Sequence, residues 1–124
     1  MKLTLTFTLD NTVDTAKSTA FELPEWAKKC TIQIPTIVSG TVSLEFMKIA
    51  DVTAAKLAAS SDTSWVGVER AVDSVGNLVN LHNGTGGKVI DCTKLIEGLG
   101  EGYLRVTCGG VQNAVTTWYV HFVS

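Results

Sequence analysis

The chain is poor in the residues that build metal and redox sites. Its 124 residues include two histidines, three cysteines and two prolines. Cys30, Cys92 and Cys108 form no CxxC pair and have no histidine at ligand spacing, which argues against a structural zinc site. Their odd number argues against a full disulfide framework, so we expect buried free thiols that behave as small hydrophobic residues.

Sequence features of nucleic-acid, calcium and nucleotide binding are also missing. The net charge is −2, without the basic excess that would neutralise phosphates, so we expect no nucleic-acid partner. No Asp-x-Asp-x-Asp-Gly run is present, which excludes a calcium loop of the EF-hand type. The glycine-rich segments Asn83–Gly87 and Gly98–Gly102 lack the strand, loop and helix order of a phosphate site and are typical of turns.

The start of the chain has no long apolar run. Met1–Thr4 alternates between apolar and polar residues, so neither a signal peptide nor a membrane span is predicted there. We therefore expect synthesis in the cytoplasm and no membrane partner.

Residues for acid–base catalysis form no recognisable group. His82 lies beside a turn sequence, and His121 lies on the predicted outer face of the last strand. The 12 acidic residues are scattered along the chain. Acid–base catalysis needs a titratable group with an orienting partner in a cleft, and no spacing indicates such a pair. We expect a protein with no catalytic residues, no cofactor and no metal.

What the sequence does have is alternation with a period of two. Apolar residues alternate with threonines over Leu3–Leu9, and with Thr117, Tyr119 and His121 over Val115–Val123. This pattern predicts strands that bury one face and expose the other to water.

Turn signals separate about eight or nine such segments, at the spacing typical of a sandwich. The predicted strands are Leu3–Leu9, Cys30–Ile34, Thr41–Ile49, Trp65–Val68, Leu78–Leu81, Lys88–Ile90, Tyr103–Cys108 and Val115–Val123, with a short apolar segment at Ala20–Leu23. We predict an all-β fold, an antiparallel β-sandwich of the jelly-roll or Ig-like kind. A chain of this length fits a single domain, residues 1–124.

Glycine and polar residues mark the expected turns. The run Asn83–Gly87 begins with Asn-Gly and is predicted to be a hairpin tip. Ser39-Gly40 and Asp73–Asn77 are predicted to be further turns, and Pro35 is expected to end the ladder of its strand. The polar stretch Asp10–Thr19 is predicted to be a long loop.

Three short segments favour helix. Pro24–Lys28 has proline at the first helical position. Asp51 is a suitable cap for the alanine-rich stretch Val52–Ala59. Asp91–Ile96 resembles a capped helical turn.

The three tryptophans allow core packing or ligand stacking. Trp118 lies on the apolar face of its strand and Trp26 in a turn at one end of the sandwich, so both are expected to pack. Trp65 follows a polar segment and is the best candidate for an exposed ring. Trp65, Tyr103 or Tyr119 would supply the stacking platform of a carbohydrate-binding module, which we keep as an alternative.

Several segments together form a distinctive series of strand edges and turns. They are Leu23–Ala27, Cys30–Pro35, Ser39–Glu45, Ser61–Trp65 and Tyr103–Ala114. This series is similar to small β-sandwich proteins encoded among the structural genes of tailed bacteriophages. The resemblance covers residues 20–124. It departs from the family's form at Val52–Ala59, where a longer alanine-rich stretch replaces a short hairpin.

The resemblance implies a virion component, either a capsid decoration (cement) protein or a protein of the head–tail region. Its expected partners are the major capsid protein or neighbouring virion proteins, and its own copies, for which a ring of three would use closing heterologous contacts. A surface with little charge suits such contacts. The N-terminal strand, residues 1–10, is a candidate exchange arm because a long polar segment follows it.

Seven residues are the expected partner contacts, taken from the alanine-rich stretch, the loop after it and the terminal strands. They are Trp65, Asp51, Val52, Lys56, Leu3, Leu5 and Tyr119. A small enzyme on a jelly-roll-like fold is the third interpretation, disfavoured because no metal-ligand cluster is visible in the sequence.

Overall fold

The computed structural model describes residues 1–10, 16–59, 63–68, 82–110 and 115–124. Over these ranges the chain forms strands, two short α-helices and a 3₁₀ turn. The strands are β1 (Lys2–Asp10), β2 (Ala16–Lys17), β3 (Phe21–Glu22), β4 (Lys29–Lys48), β5 (Val66–Val68), β6 (His82–Asp91), β7 (Gly102–Cys108) and β8 (Val115–Val123). The helices are α1 (Ala54–Ala58) and α2 (Thr93–Ile96), and the 3₁₀ turn is Ile49–Asp51.

Two antiparallel layers enclose the core, and they are joined because β4 belongs to both. The first part of β4 pairs with β8 from Lys29 to Gln33, and the last part pairs with β7 from Val42 to Lys48. The first layer has the order β1-β8-β4-β6, and the second contains β2, β3, β7, β4 and β5. The predicted all-β antiparallel sandwich is confirmed.

The β4 strand bends between the layers where its pairing with β6 shifts register. Thr36 is opposite Gly86, but Gly40 is opposite Gly84, so β4 has more residues than β6 over this interval. Extra residues on one strand bend it and increase its twist without reversing its direction. The predicted turn at Ser39-Gly40 is therefore wrong, because the chain continues as one strand.

The predicted hairpin tip at Asn83–Gly87 is also wrong, since these residues lie within β6 and pair with β4. Gly84 and Gly87 have φ angles of 133° and 70°, which other residues rarely adopt, so they allow β6 to follow the bend. The prediction that strand pairing ends at Pro35 is right for the β8 side of β4 and wrong for the β6 side. Pairing with β8 ends at Gln33, but β4 continues past Pro35 beside β6.

The terminal strands are confirmed, because β1 pairs with β8 along its whole length. Within the predicted loop Asp10–Thr19, Ala16 and Lys17 form β2 and pair with β7, so the loop prediction is wrong there. The predicted turn at Asp73–Asn77 and strand at Leu78–Leu81 lie outside the described residues.

Two of the three helix predictions are right in place, because α1 lies within Val52–Ala59 and α2 within Asp91–Ile96. Pro24–Lys28 is not a helix but a single turn, in which the Ala27 N–H donates to the Pro24 carbonyl oxygen at 3.1 Å. The α1 helix is capped by Thr53, whose Oγ1 accepts a hydrogen bond from the Lys56 backbone N–H at 3.2 Å. Asp51 was expected in this role, but it lies in the 3₁₀ turn. At α2 the N-cap is Cys92, which makes no side-chain cap hydrogen bond, and the carboxylate of the preceding Asp91 accepts a hydrogen bond from the Thr93 N–H at 2.9 Å.

The core lies between the layers and follows the predicted alternation. Its largest fully buried side chains are Trp118, Phe122, Leu9, Ile32, Ile34, Leu44, Leu104, Val42, Val106 and Val120. Met47 is also fully buried, but on the opposite face of β4, which it shares with Glu45. Trp26 is partly buried and packs against this core. All three cysteines are buried thiols, as expected. No helix in the described ranges has the length and apolar character of a membrane span.

Candidate functional site

The outer face of the second layer carries a charged cluster that is largely shielded from water. Glu45 on β4 and Arg105 on β7 are directly opposite each other. The Arg105 Nε donates to Glu45 Oε1 at 2.9 Å, and Lys17 Nζ on β2 lies 3.5 Å from the same oxygen. Arg105 is only 3% exposed. A buried guanidinium is tolerated because a carboxylate and hydrogen bonds compensate its charge.

Arg105 and Trp65 hold the segment around α1 against the sheet. The Arg105 Nη1 donates to the Ala59 carbonyl oxygen at 2.9 Å, and the Trp65 Nε1 donates to the Lys56 carbonyl oxygen at 3.2 Å. The guanidinium carbon of Arg105 lies 4.3 Å from the centre of the Trp65 ring, which is cation–π geometry. The α1 segment, residues 49–59, is therefore fixed by two side chains that bind its carbonyl groups.

Trp65 is 5% exposed, so the prediction of an exposed ring is wrong. Trp65 is buried because both its N–H group and its ring face have partners within the protein. The N–H finds a carbonyl of the α1 segment, and the face is covered by a cation from β7. As placed, Trp65 cannot serve as a stacking platform for a sugar ring.

A cleft of about 600 Å³ lies between α1 and β2. Ala54, Leu57 and Ala58 give it an apolar wall, and Lys17 and Arg105 are among its polar lining residues. Arg105 is bonded to Glu45 and Ala59, so its role in the cleft is structural. Among the described residues, no group of three or more His, Cys, Asp or Glu side chains is arranged to hold a metal ion.

Beside the α1 segment lies a surface with exposed aliphatic side chains, which we call the α1 surface. It comprises Ile49, Asp51, Val52 and Lys56 of that segment together with Val66, which lines one pocket with Asp51. Ile49 and Val66 are 49% and 57% exposed, and a shallow pocket of about 300 Å³ is lined by Asp51 and Val66 among others. The other three residues are half-buried.

The structure brings together some of the predicted contact residues and separates the others. Asp51, Val52 and Lys56 lie on the α1 segment, and Trp65 binds this segment through the Lys56 carbonyl oxygen. Leu3, Leu5 and Tyr119 lie in the first layer. Leu3 and Leu5 are half-buried against the core, and Tyr119 is half-buried opposite Thr6. The residues of the α1 segment and those of the first layer therefore belong to different surfaces. Within the first layer, Leu3 and Leu5 face the core, whereas Tyr119 lies on the opposite face with Thr6.

Several titratable side chains in the described ranges are engaged in local contacts. His121 Nδ1 lies 2.9 Å from Thr4 Oγ1 across the β1–β8 ladder. The pKa of the Cys30 thiol is raised by its hydrogen bond with the Cys92 thiol and by burial, so Cys30 stays protonated and unreactive. The side chain of His82 lies outside what the structure describes.

Two exposed carboxyl groups have shifted pKa values. Hydrogen bonds from Thr93 lower the pKa of Asp91. The pKa of Glu101 is raised by a hydrogen bond with Glu25 and by the charge of that neighbour. Both shifts have local causes at the protein surface.

The sequence did not point to Lys17, Glu45 and Arg105 as a group. Alternation predicted that Glu45 and Arg105 face outward on their strands, and this is correct. Their pairing depends on the register between β4 and β7, which alternation does not specify. The sequence signal that could have indicated this ion pair is the presence of opposite charges facing outward on two long predicted strands.

Comparison with known proteins assigns no family to this geometry, because no family model, curated protein or solved structure matches the chain. The resemblance to phage structural proteins therefore rests on the sequence segments alone.

Proposed function

We propose that this chain is a non-catalytic structural protein of a bacteriophage virion and, within that class, a capsid decoration protein. It is made in the host cytoplasm, binds the major capsid protein and its own copies on the assembled head, and adds contacts that resist the pressure of packaged DNA. The sequence segments that resemble phage β-sandwich proteins support this proposal.

The structural observation that carries the proposal is the α1 surface. Exposed Ile49 and Val66 provide the aliphatic area that the centre of a protein interface needs. The α1 segment, which includes Ile49, is held by Arg105 and Trp65 at its Ala59 and Lys56 carbonyl groups, so little conformational entropy is lost when a partner binds. A rigid surface of this kind suits docking on a large, repetitive particle.

Binding to capsids tests the proposal. The purified protein is mixed with undecorated heads assembled from the major capsid protein of the same phage genome, and the heads are pelleted. We expect the protein to co-sediment. Val66→Asp should raise the dissociation constant by about tenfold or more, because a carboxylate would be desolvated in the interface.

The matched control is Val89→Asp. Val89 is 63% exposed, close to the exposure of Val66, but it lies on β6 in the first layer, so its substitution should leave binding unchanged. If the wild-type protein stays in the supernatant, the decoration role is rejected. Binding to purified necks or tails would then support the head–tail alternative. Equal binding by both variants would reject the α1 surface as the capsid contact.

A further inference from the structure

The outermost strand of the first layer has an unusual edge. Over the described residues β1 pairs with β8 alone, so its other edge faces away from the sheet. Within β1 the charged residues are Lys2 and Asp10, at opposite ends, and the seven residues between them are uncharged. Edge strands usually carry central charges, prolines or bulges that prevent pairing with other chains. The central part of β1 has none of these.

The hydrogen bonds between β1 and β8 show which residues of β1 direct their backbone groups toward the open edge. The Ser124 N–H donates to the Met1 carbonyl at 3.0 Å, and β1 pairs with β8 in a regular antiparallel register. In such a ladder the residues alternate between those bonded to the neighbour and those pointing away from it. Odd-numbered residues of β1 therefore bond to β8, and the N–H and C=O groups of Thr4, Thr6 and Thr8 point to the open edge.

We infer that β1 is a self-association edge, which pairs antiparallel with β1 of a second copy about a two-fold axis at Thr6. In this register Thr6 faces Thr6 of the second copy, and Thr4 faces its Thr8. The backbone N–H and C=O groups of these residues point to the open edge in both copies, so each paired residue can exchange hydrogen bonds with its partner. The first layer would then continue from one copy into the other.

Charge complementarity supports this register. Antiparallel pairing centred on Thr6 places Lys2 of one copy opposite Asp10 of the other, at both ends of the contact. Both residues are exposed. A carboxylate can accept several hydrogen bonds, so Asp10 can accept one from Lys2 alongside bonds within its own chain. Parallel pairing would instead bring like charges together, which is unfavourable.

The inferred contact is isologous, so it differs from the heterologous ring of three that the resemblance implies. One strand pair buries less area than a standard protein interface, so we expect a dimer that dissociates on dilution. The inference concerns contacts between copies and does not depend on the capsid-binding role.

Sedimentation equilibrium over a range of protein concentrations tests the inference. We expect a monomer–dimer equilibrium for the wild-type protein. Thr6→Lys places two ammonium groups together at the two-fold axis and should raise the dimer dissociation constant by about tenfold or more. Gln33→Lys is the matched control, because Gln33 is exposed in the same cross-strand row but lies on β4, where both edges are paired. It should dimerise like the wild type.

Two further measurements fix the register. Lys2→Glu alone should weaken the dimer, and adding Asp10→Lys in the same chain should restore it.

In the wild type, amide hydrogen exchange at Thr4, Thr6 and Thr8 should slow as concentration rises, whereas exchange at Leu5 and Phe7 should not change. A wild-type monomer at all concentrations, a trimer, or unchanged exchange at the three threonines would each overturn the inference. Circular dichroism confirms that the variants fold.

Discussion

Arg105 shows how one residue connects several parts of the molecule. Its guanidinium bonds to Glu45 on the neighbouring strand and to the Ala59 carbonyl, and it lies over the ring of Trp65. A buried ion pair often adds little net stability compared with apolar side chains of the same size. Removing one partner is different, because the remaining charge is left without compensation.

We therefore predict that Glu45→Ala lowers the free energy of unfolding by about 3 kcal/mol, since Arg105 stays buried without its carboxylate partner. Urea denaturation followed by circular dichroism measures this loss. Glu97→Ala removes an exposed ion pair with Lys94 at 3.7 Å and should change the same quantity by less than about 0.5 kcal/mol. Similar effects of both substitutions would show that Glu45 has no special role.

The sequence predicted which face of a strand a side chain occupies better than it predicted contacts between distant residues. Trp118 was expected in the core and is buried there. Trp65 was expected at the surface because its neighbours along the chain are polar. Its burial depends on Arg105, forty residues later in the chain, and local composition carries no information on such a contact.

At the scale of elements, β4 is the strand that decides the architecture. It replaces two predicted strands and the turn between them. Local turn signals identified where the chain bends, at Ser39-Gly40 and Asn83–Gly87, but not that two strands bend side by side. Pairing between β4 and β6 stabilises an extended backbone there, and tertiary pairing overrides local preference.

The bend depends on the absence of a side chain at Gly40. A Cβ atom there would overlap the carbonyl oxygen of Gly109. We predict that Gly40→Ala lowers the free energy of unfolding by about 1–3 kcal/mol, the usual cost of overpacking. Thermal unfolding monitored by circular dichroism would detect it as a lower Tm.

Gly109→Ala is the control for this prediction. A Cβ atom at Gly109 would have Thr41 as its nearest contact, at an ordinary distance of 3.9 Å from the carbonyl oxygen. The Tm should therefore fall much less than for Gly40→Ala. If Gly40→Ala is as stable as the wild type, the close approach of the two backbones does not constrain the bend.

For the whole molecule, the shared strand means that neither layer is complete without the other. Breaking β4 removes a central strand from both layers at once. We predict a single cooperative unfolding transition, with the same midpoint for tryptophan fluorescence and for far-ultraviolet circular dichroism. Two separate midpoints would show that the layers unfold independently.

The antiparallel sandwich as a class was predictable because alternation in the terminal strands is regular and the strands are long. The path between the layers was not, because it depends on which strands pair over long separations in sequence. The candidate site was predictable only in part for the same reason. Asp51, Val52 and Lys56 are close along the chain and were predicted as contacts, whereas Ile49 and Val66 were not. Lys17, Glu45 and Arg105 come together only through strand pairing.

The pairing of β1 with β8 also has a consequence during synthesis on the ribosome. Asp10 and Val115, which are opposite each other, are separated by most of the chain. At about 5–20 residues per second, roughly 5–20 s pass between the translation of β1 and that of its partner. During this time Phe7 and Leu9 have no β8 to cover them. The nascent polypeptide is therefore most prone to misassembly before β8 emerges, and slower translation lengthens this interval.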